Sequence, residues 1–305
     1  MNVDIHDVGH GFCAVVTFSN GSRIMIDAGT RTDPFWAPST EYFRRPMDLH
    51  VLQNLDEDHV ADLPYLLKYG AVKAHFSNPT VDAAALAWMK RESGMGKGVS
   101  AAYGLLLARG PVAGMKVNLP RGAWAWAHWN RFGYDFVDTN NLSVATFVGL
   151  GNFTILFGGD LEEAGWRSLL RSSDFRAHLA RVSVLVTSHH GRENGCCDEI
   201  FRFCRPGIAV ISDCEHRHLS QQTASWYRSR VTGIPDNTAP RGLGPIPTRS
   251  VITTRKDGRL TIRVEPGGRY TIQPERLQQT IVPVWPVSTG PASNELFNLL
   301  AGRRY

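Results

Sequence analysis

No apolar run in the chain approaches the length of about 18 residues that crossing a membrane requires. The opening residues Met1-Asn2-Val3-Asp4-Ile5-His6-Asp7 carry acid where a secretory signal is apolar. A soluble, cytoplasmic protein with no membrane partner is expected. Cysteine is scarce. The five residues Cys13, Cys196, Cys197, Cys204 and Cys214 are odd in number and show no Cys-x-x-Cys spacing, which argues against a disulfide framework. Four of them lie between 196 and 214, so a structural zinc site is conceivable, but reduced thiols are the better reading. Excess charge is small too: 33 basic and 28 acidic residues leave a net charge of +5, with the arginines spread along the chain. That balance tolerates an anionic substrate such as nucleic acid without demonstrating one. Gly94-Met95-Gly96-Lys97-Gly98 is rich in glycine but lacks Walker spacing, which favours a flexible insertion over a phosphate cradle. No repeat of short period is present.

What the chain does have is the composition of a globular enzyme. It has 305 residues, 43% hydrophobic and 20% charged, enough for one large domain or two small ones. Val3 to Val8 alternates like a strand, Phe12 to Phe18 and Arg23 to Asp27 read as strands, and Asn20-Gly21 between them is a hairpin signal. Residues 62 to 69 and 80 to 91 read as helices, and 71 to 76 as a strand. Residues 92 to 135 are irregular and read as an insertion. Its neighbouring Trp124, Trp126 and Trp129 fit a core better than a cleft wall. Regular pattern returns with strands at 142 to 150, 153 to 157, 182 to 187 and 208 to 212. A helix opens at Asp160, and a hairpin is expected at Lys256-Asp257-Gly258 between 250 and 264. The domain is expected to span 1–265, and 266–305 read as a C-terminal tail. Strands and helices fall into two similar halves, which suggests two packed sheets flanked by helices.

The densest chemistry lies in Gln53-Asn54-Leu55-Asp56-Glu57-Asp58-His59-Val60-Ala61-Asp62-Leu63, directly after the apolar run 49–52. Two carboxylates and an imidazole together at a strand end can bind a hard or borderline divalent metal. The plainer alternative is an acidic turn that starts a helix, with Asp56 as N-cap. Three further polar clusters stand at strand ends: Asp7-Val8-Gly9-His10-Gly11, Gly158-Gly159-Asp160-Leu161 and Ser188-His189-His190-Gly191. The carboxyl ends of strands are where α/β folds place chemistry. Asp160 could simply cap a helix, and the histidines could be loop residues, but four such clusters in one chain favour a site.

These clusters, in this order, resemble the metallo-β-lactamase superfamily, and most of all the branch typified by the hydrolase domain of the competence protein ComEC. The matches are Asp7 to Gly11, Ile26-Asp27-Ala28-Gly29, the turn at 54–63, Asn140-Asn141-Leu142-Ser143, Gly159-Asp160, His189-His190-Gly191, the strand before Ser212 with His218, and Thr253 to Gly258. The resemblance covers about residues 3 to 265. It implies an αββα four-layer sandwich, an α/β fold. It implies metal ligands Asn54, Asp56, Asp58, His59, Asp160 and one of His189 or His190, with His189 assigned here as the ligand and His190 as the proton donor. It also implies Asp58 as holder of the attacking water and His218 as a contact to substrate phosphate, although His218 reads equally well as a surface histidine. Zn²⁺ or Mn²⁺ is the expected cofactor. DNA or another phosphodiester is the expected substrate, and stand-alone relatives suggest a part in bacterial phage defence. Two departures bear on this. Asn54 stands where the family has histidine, and Ala61-Asp62 where it has two glycines. An amide oxygen is a weak ligand beside an imidazole, so one firm and one weak metal subsite are expected. Alternatives are a hydrolase of another small ester on the same scaffold, and a degenerate member that acts as a binding subunit.

Overall fold

Apolar residues of the first strands alternate between two environments. Val3 and Ile5 of β1 (Asn2–Ile5), Val16 of β2 (Ala14–Thr17) and Ile24 and Ile26 of β3 (Arg23–Ile26) enter one core, while Val15 and Met25 enter another on the opposite face. A sheet so patterned must be covered on both sides. The computed structural model describes residues 1–108, 117–214, 222–236 and 247–277. In it these strands join β4 (Leu49–Val51), β5 (His75–Phe76), β12 (Leu260–Val264) and β13 (Tyr270–Pro274) in a seven-stranded sheet ordered β13-β12-β1-β2-β3-β4-β5. The Asn20-Gly21 signal does close the antiparallel β2–β3 hairpin.

A six-stranded sheet packs against it. Its strands are β6 (Ala123–His128), β7 (Ala145–Leu150), β8 (Phe153–Phe157), β9 (Val184–Val186), β10 (Ile208–Ile211) and β11 (Val251–Thr253), in the order β11-β10-β9-β8-β7-β6. Strands β8 to β11 run parallel. Phe153, Ile155 and Phe157 meet Val3, Ile24 and Val51 between the sheets, while Leu156, Leu185 and Ile211 point outward. There they meet Trp166 of α5 (Glu163–Leu169), Phe175 of α6 (Ser173–Leu179) and Tyr227 of α7 (Ala224–Arg228). On the far face of the first sheet, Leu66 of α2 (Leu63–Lys68) covers Val15 and Met25. Helices α1 (Glu57–Val60), α3 (Ala83–Met89) and α4 (Lys97–Leu107) share a further apolar cluster. The architecture is the expected αββα sandwich.

Three sequence expectations change. The hairpin expected between 250 and 264 is a crossover: β11 pairs with β10 in one sheet and β12 with β1 in the other. A single helical turn, Thr254–Asp257, carries the chain across. It is fixed by Asp257, whose carboxylate accepts the Thr253 N–H and pairs with Arg249. The stretch at 92–135 supplies α4 and the edge strand β6, so much of it is scaffold. Trp124 is buried there, with Trp126 and Trp129 packed at the core margins. The Gly94–Gly98 segment leads into α4, and the Glu57 carboxylate accepts the Gly98 and Val99 N–H groups (2.8 and 3.0 Å) at the start of that helix. The third change is the boundary at 266, which falls inside the sheet, because β13 continues it as an edge strand with Tyr270 and Ile272 buried. Residues 278–305 lie outside the described residues.

Candidate metal centre

The ends of β1, β3, β4, β8, β9 and β10 converge at one rim of the sandwich. Tight glycines let them approach. A Cβ on Gly11, which has φ +122°, would lie 2.3 Å from the Asp58 carbonyl oxygen, and one on Gly29 2.7 Å from the same atom. Both motif glycines therefore exist to seat the backbone of the acidic turn. Across the rim, the Ser143 hydroxyl accepts the Asp160 N–H (3.1 Å), and the Asn141 amide oxygen accepts from Glu162 and Gly165 (3.3 and 2.9 Å). These two residues pin the turn that presents Asp160.

Four side chains meet at this rim: Asp58, His59, Asp160 and His190, each offering one ligand atom, all within 4.8 Å of one another. The two imidazoles face each other through Nε2 at 3.3 Å. His59 Nε2 is 3.1 Å from Asp160 Oδ1, and His190 Nε2 is 3.4 Å from Asp58 Oδ2 and 3.5 Å from Asp160 Oδ1. A tetrahedral ion with bonds of about 2.0–2.1 Å sets its ligands roughly 3.3 Å apart. The outer ring nitrogens are tied down. His59 Nδ1 donates to Asp27 Oδ2 (2.7 Å) and His190 Nδ1 to the Ser212 carbonyl (3.1 Å). That leaves both Nε2 lone pairs aimed at a common centre. Asp160 Oδ1 is buried with no hydrogen-bond partner, the state of an oxygen that a cation would satisfy. These residues fit a divalent metal.

Electrostatics agree. Burial by itself raises the Asp58 and Asp160 carboxyls, but the His59 and His190 imidazoles outweigh it and hold both below the usual carboxylate range. Burial likewise lowers His59 and His190. For each the Asp160 carboxylate is the largest opposing charge, and the net direction is upward. The pocket favours positive charge.

The sequence-assigned residues separate into four groups. Asp58, His59 and Asp160 come together as expected. His190 joins them in place of His189. His189 Nδ1 lies 3.7 Å from Glu162, and its Nε2 accepts from Arg192 (3.2 Å). Of this pair, His190 and not His189 lies in the four-residue group. The cause is backbone geometry: His189 and His190 both have positive φ, 50° and 53°. Two successive left-handed residues turn the second imidazole inward, a strain that clusters at functional sites. Asn54 and Asp56 stand outside the four. Asn54 Oδ1 accepts the Asp56 N–H, and Asp56 pairs with Lys90. His218 lies outside the described residues.

Other residues at the rim were not singled out by sequence. Asp27, buried and also at positive φ (55°), accepts the Gln53 N–H (2.6 Å) as well as His59. Its signal was present in the Ile26-Asp27-Ala28-Gly29 strand end. His10 Nε2 lies 3.4 Å from Asp58 Oδ2. Arg192, directly after His189-His190-Gly191, had no signal of its own. Asp27→Asn keeps the shape but weakens the hold on His59, so metal affinity is expected to fall by about 10–100-fold with the fold intact, read by chelator competition.

The strand ends of two packed sheets thus bring two aspartates and two histidines together at one rim. The chain is similar to a metallo hydrolase from Ignicoccus hospitalis at 15% identity, over 87% of this chain and 100% of that one, with a TM-score of 0.47. It is similar to zinc-bound PqqB from Methylobacterium extorquens at 12% identity, over 62% and 72% of the two chains, with a TM-score of 0.36. An archaeal metallo-β-lactamase superfamily protein from Sulfolobus tokodaii is similar at 18% identity, over 55% and 74%, with a TM-score of 0.30. No protein-family model and no curated protein matches the sequence. The five cysteines are free. Burial pushes Cys196 up to about 11 and Cys197 and Cys204 to about 12, and among the described residues none joins a ligand group. No helix among the described residues is long and apolar enough to cross a membrane.

Proposed function

We propose that this chain is a metal-dependent hydrolase of phosphodiester bonds, with Asp58, His59, Asp160 and His190 as the metal ligands. The four-residue group with fixed outer nitrogens carries the first half of that reading. Arg192 supports the second half. Its guanidinium faces His189 Nε2 and His10 Nε2 (3.2 and 3.5 Å), its Nε is buried without a partner, and it pairs with no carboxylate among the described residues. A guanidinium left without a carboxylate beside a metal group suits a phosphate oxygen. A divalent ion held by Asp58, His59, Asp160 and His190 would supply Lewis acidity toward water and the phosphate ester. The Asp58 carboxylate, through its oxygen not spent as a ligand, accepts from the attacking water and orients it. Arg192 holds the phosphate, and His189 keeps Arg192 in place. His10 Nε2, 3.4 Å from Asp58 Oδ2, stands at the mouth as a neutral imidazole, because burial pushes it down to about 4. Zn²⁺ and Mn²⁺ both suit two imidazoles and two carboxylates. The ComEC-like order of motifs favours DNA as the phosphodiester and a part in phage defence. The intact ligand group speaks against a degenerate, non-catalytic member.

Protein loaded with Mn²⁺ or Zn²⁺ should release nitrophenol from bis(p-nitrophenyl) phosphate and cleave DNA. Chelator should abolish both reactions. Full metal occupancy with no turnover of any phosphodiester would refute this reading and leave hydrolysis of another small ester as its successor.

A further inference from the structure

Asn54 and Asp56 were expected among the ligands of two metal subsites, one firm and one weak, but the structure spends both on the protein itself. Both Asp56 carboxylate oxygens are taken: Oδ1 by the Lys90 ammonium, and Oδ2 by the Thr139 hydroxyl at 2.9 Å. The Asn54 amide is taken at both ends. Its Oδ1 accepts the Asp56 N–H (3.1 Å), and its Nδ2 donates to Asn140 Oδ1 (3.3 Å). Asn54 is buried, and only 14% of the Lys90 side chain is exposed. Lys90 follows the last turn of α3, where its N–H bonds the Leu86 carbonyl (3.0 Å), so its stem starts from a fixed point. Among the described residues the one group of three or more His, Cys, Asp or Glu side chains close enough to share an ion excludes Asp56.

We propose that the Lys90 ammonium stands in for a second cation on Asp56, so that the chain holds one metal ion and carries its other positive charge as part of its own sequence. This rests on the metal-dependent reading above. Lys90 neutralises Asp56 as an ion would, and like charge keeps a divalent ion away from the same carboxylate. A lysine also presents donors rather than vacant coordination positions. It steadies the acidic turn and offers a fixed charge to an anionic substrate, but it cannot activate water.

Metal content of dialysed protein, measured by plasma mass spectrometry after loading with Mn²⁺, tests this. Wild type should hold one ion per chain. Lys90→Ala should take up a second at the same free Mn²⁺, and Lys90→Ala with Asn54→His should hold it more tightly. Lys90→Arg should stay at one. Circular dichroism on each variant separates misfolding from altered binding, and Lys90→Met, which keeps the packing of the stem, should behave as Lys90→Ala. Two ions of equal affinity in wild type overturn the proposal, as does an unchanged single ion in folded Lys90→Ala and Lys90→Met. A wild type that binds no ion overturns the metal-dependent reading itself, and this proposal with it.

Discussion

Asp160→Ala is expected to remove metal and activity together, the largest effect of any single substitution in this chain. Asp160 Oδ1 lies within 3.1 and 3.5 Å of the two Nε2 atoms and has no hydrogen-bond donor of its own. Its loss takes one ligand and leaves two imidazoles facing each other with less negative charge to draw a cation between them. Turnover should fall by at least about 10²–10³-fold, the scale for deleting one preorganised group from a charge-stabilising site. The fold should survive, because the backbone N–H of residue 160 keeps its bond to Ser143. Circular dichroism together with metal analysis checks both halves. Asp160→Ala protein with metal content near wild type would move the ion elsewhere.

How much of this was legible in the sequence differs from element to element. The sheets were legible because their strands obey period two. Ile155 and Phe157 look one way and Leu156 the other, and that pattern survives in one dimension. The rim was legible as four polar clusters at strand ends. Residues whose role depends on what lies across the fold were not. Asp27 matters only because His59 stands 32 positions away and within 2.7 Å. Lys90 matters only because α3 delivers it to Asp56, 34 positions upstream. The crossover at 254–257 read as a hairpin because local turn signals do not say to which sheet each flanking strand belongs. The edge strands β6 and β13 were hidden for a related reason. An edge strand has one partner and a half-exposed face, so its composition resembles a loop.

The pair His189-His190 shows the same limit most sharply and leads to the last prediction. Adjacent identical residues carry no sequence information about which one turns inward. Backbone dihedrals decide it, and at φ 50° and 53° they turn His190 to the aspartates and His189 to Arg192. His190→Ala should therefore lose metal by more than the 10–100-fold or so that removing an outer hydrogen-bond partner costs, and lose activity with it. His189→Ala should keep its metal. It frees Arg192, so the expected change is a raised KM for a phosphodiester with a smaller change in kcat, the signature of a lost substrate contact rather than a lost step. Metal titration and steady-state kinetics on the two variants, side by side, read the difference. Metal retained in His190→Ala and lost in His189→Ala would restore the assignment first read from sequence, and would mean that the turn at 189–191 rearranges when an ion binds.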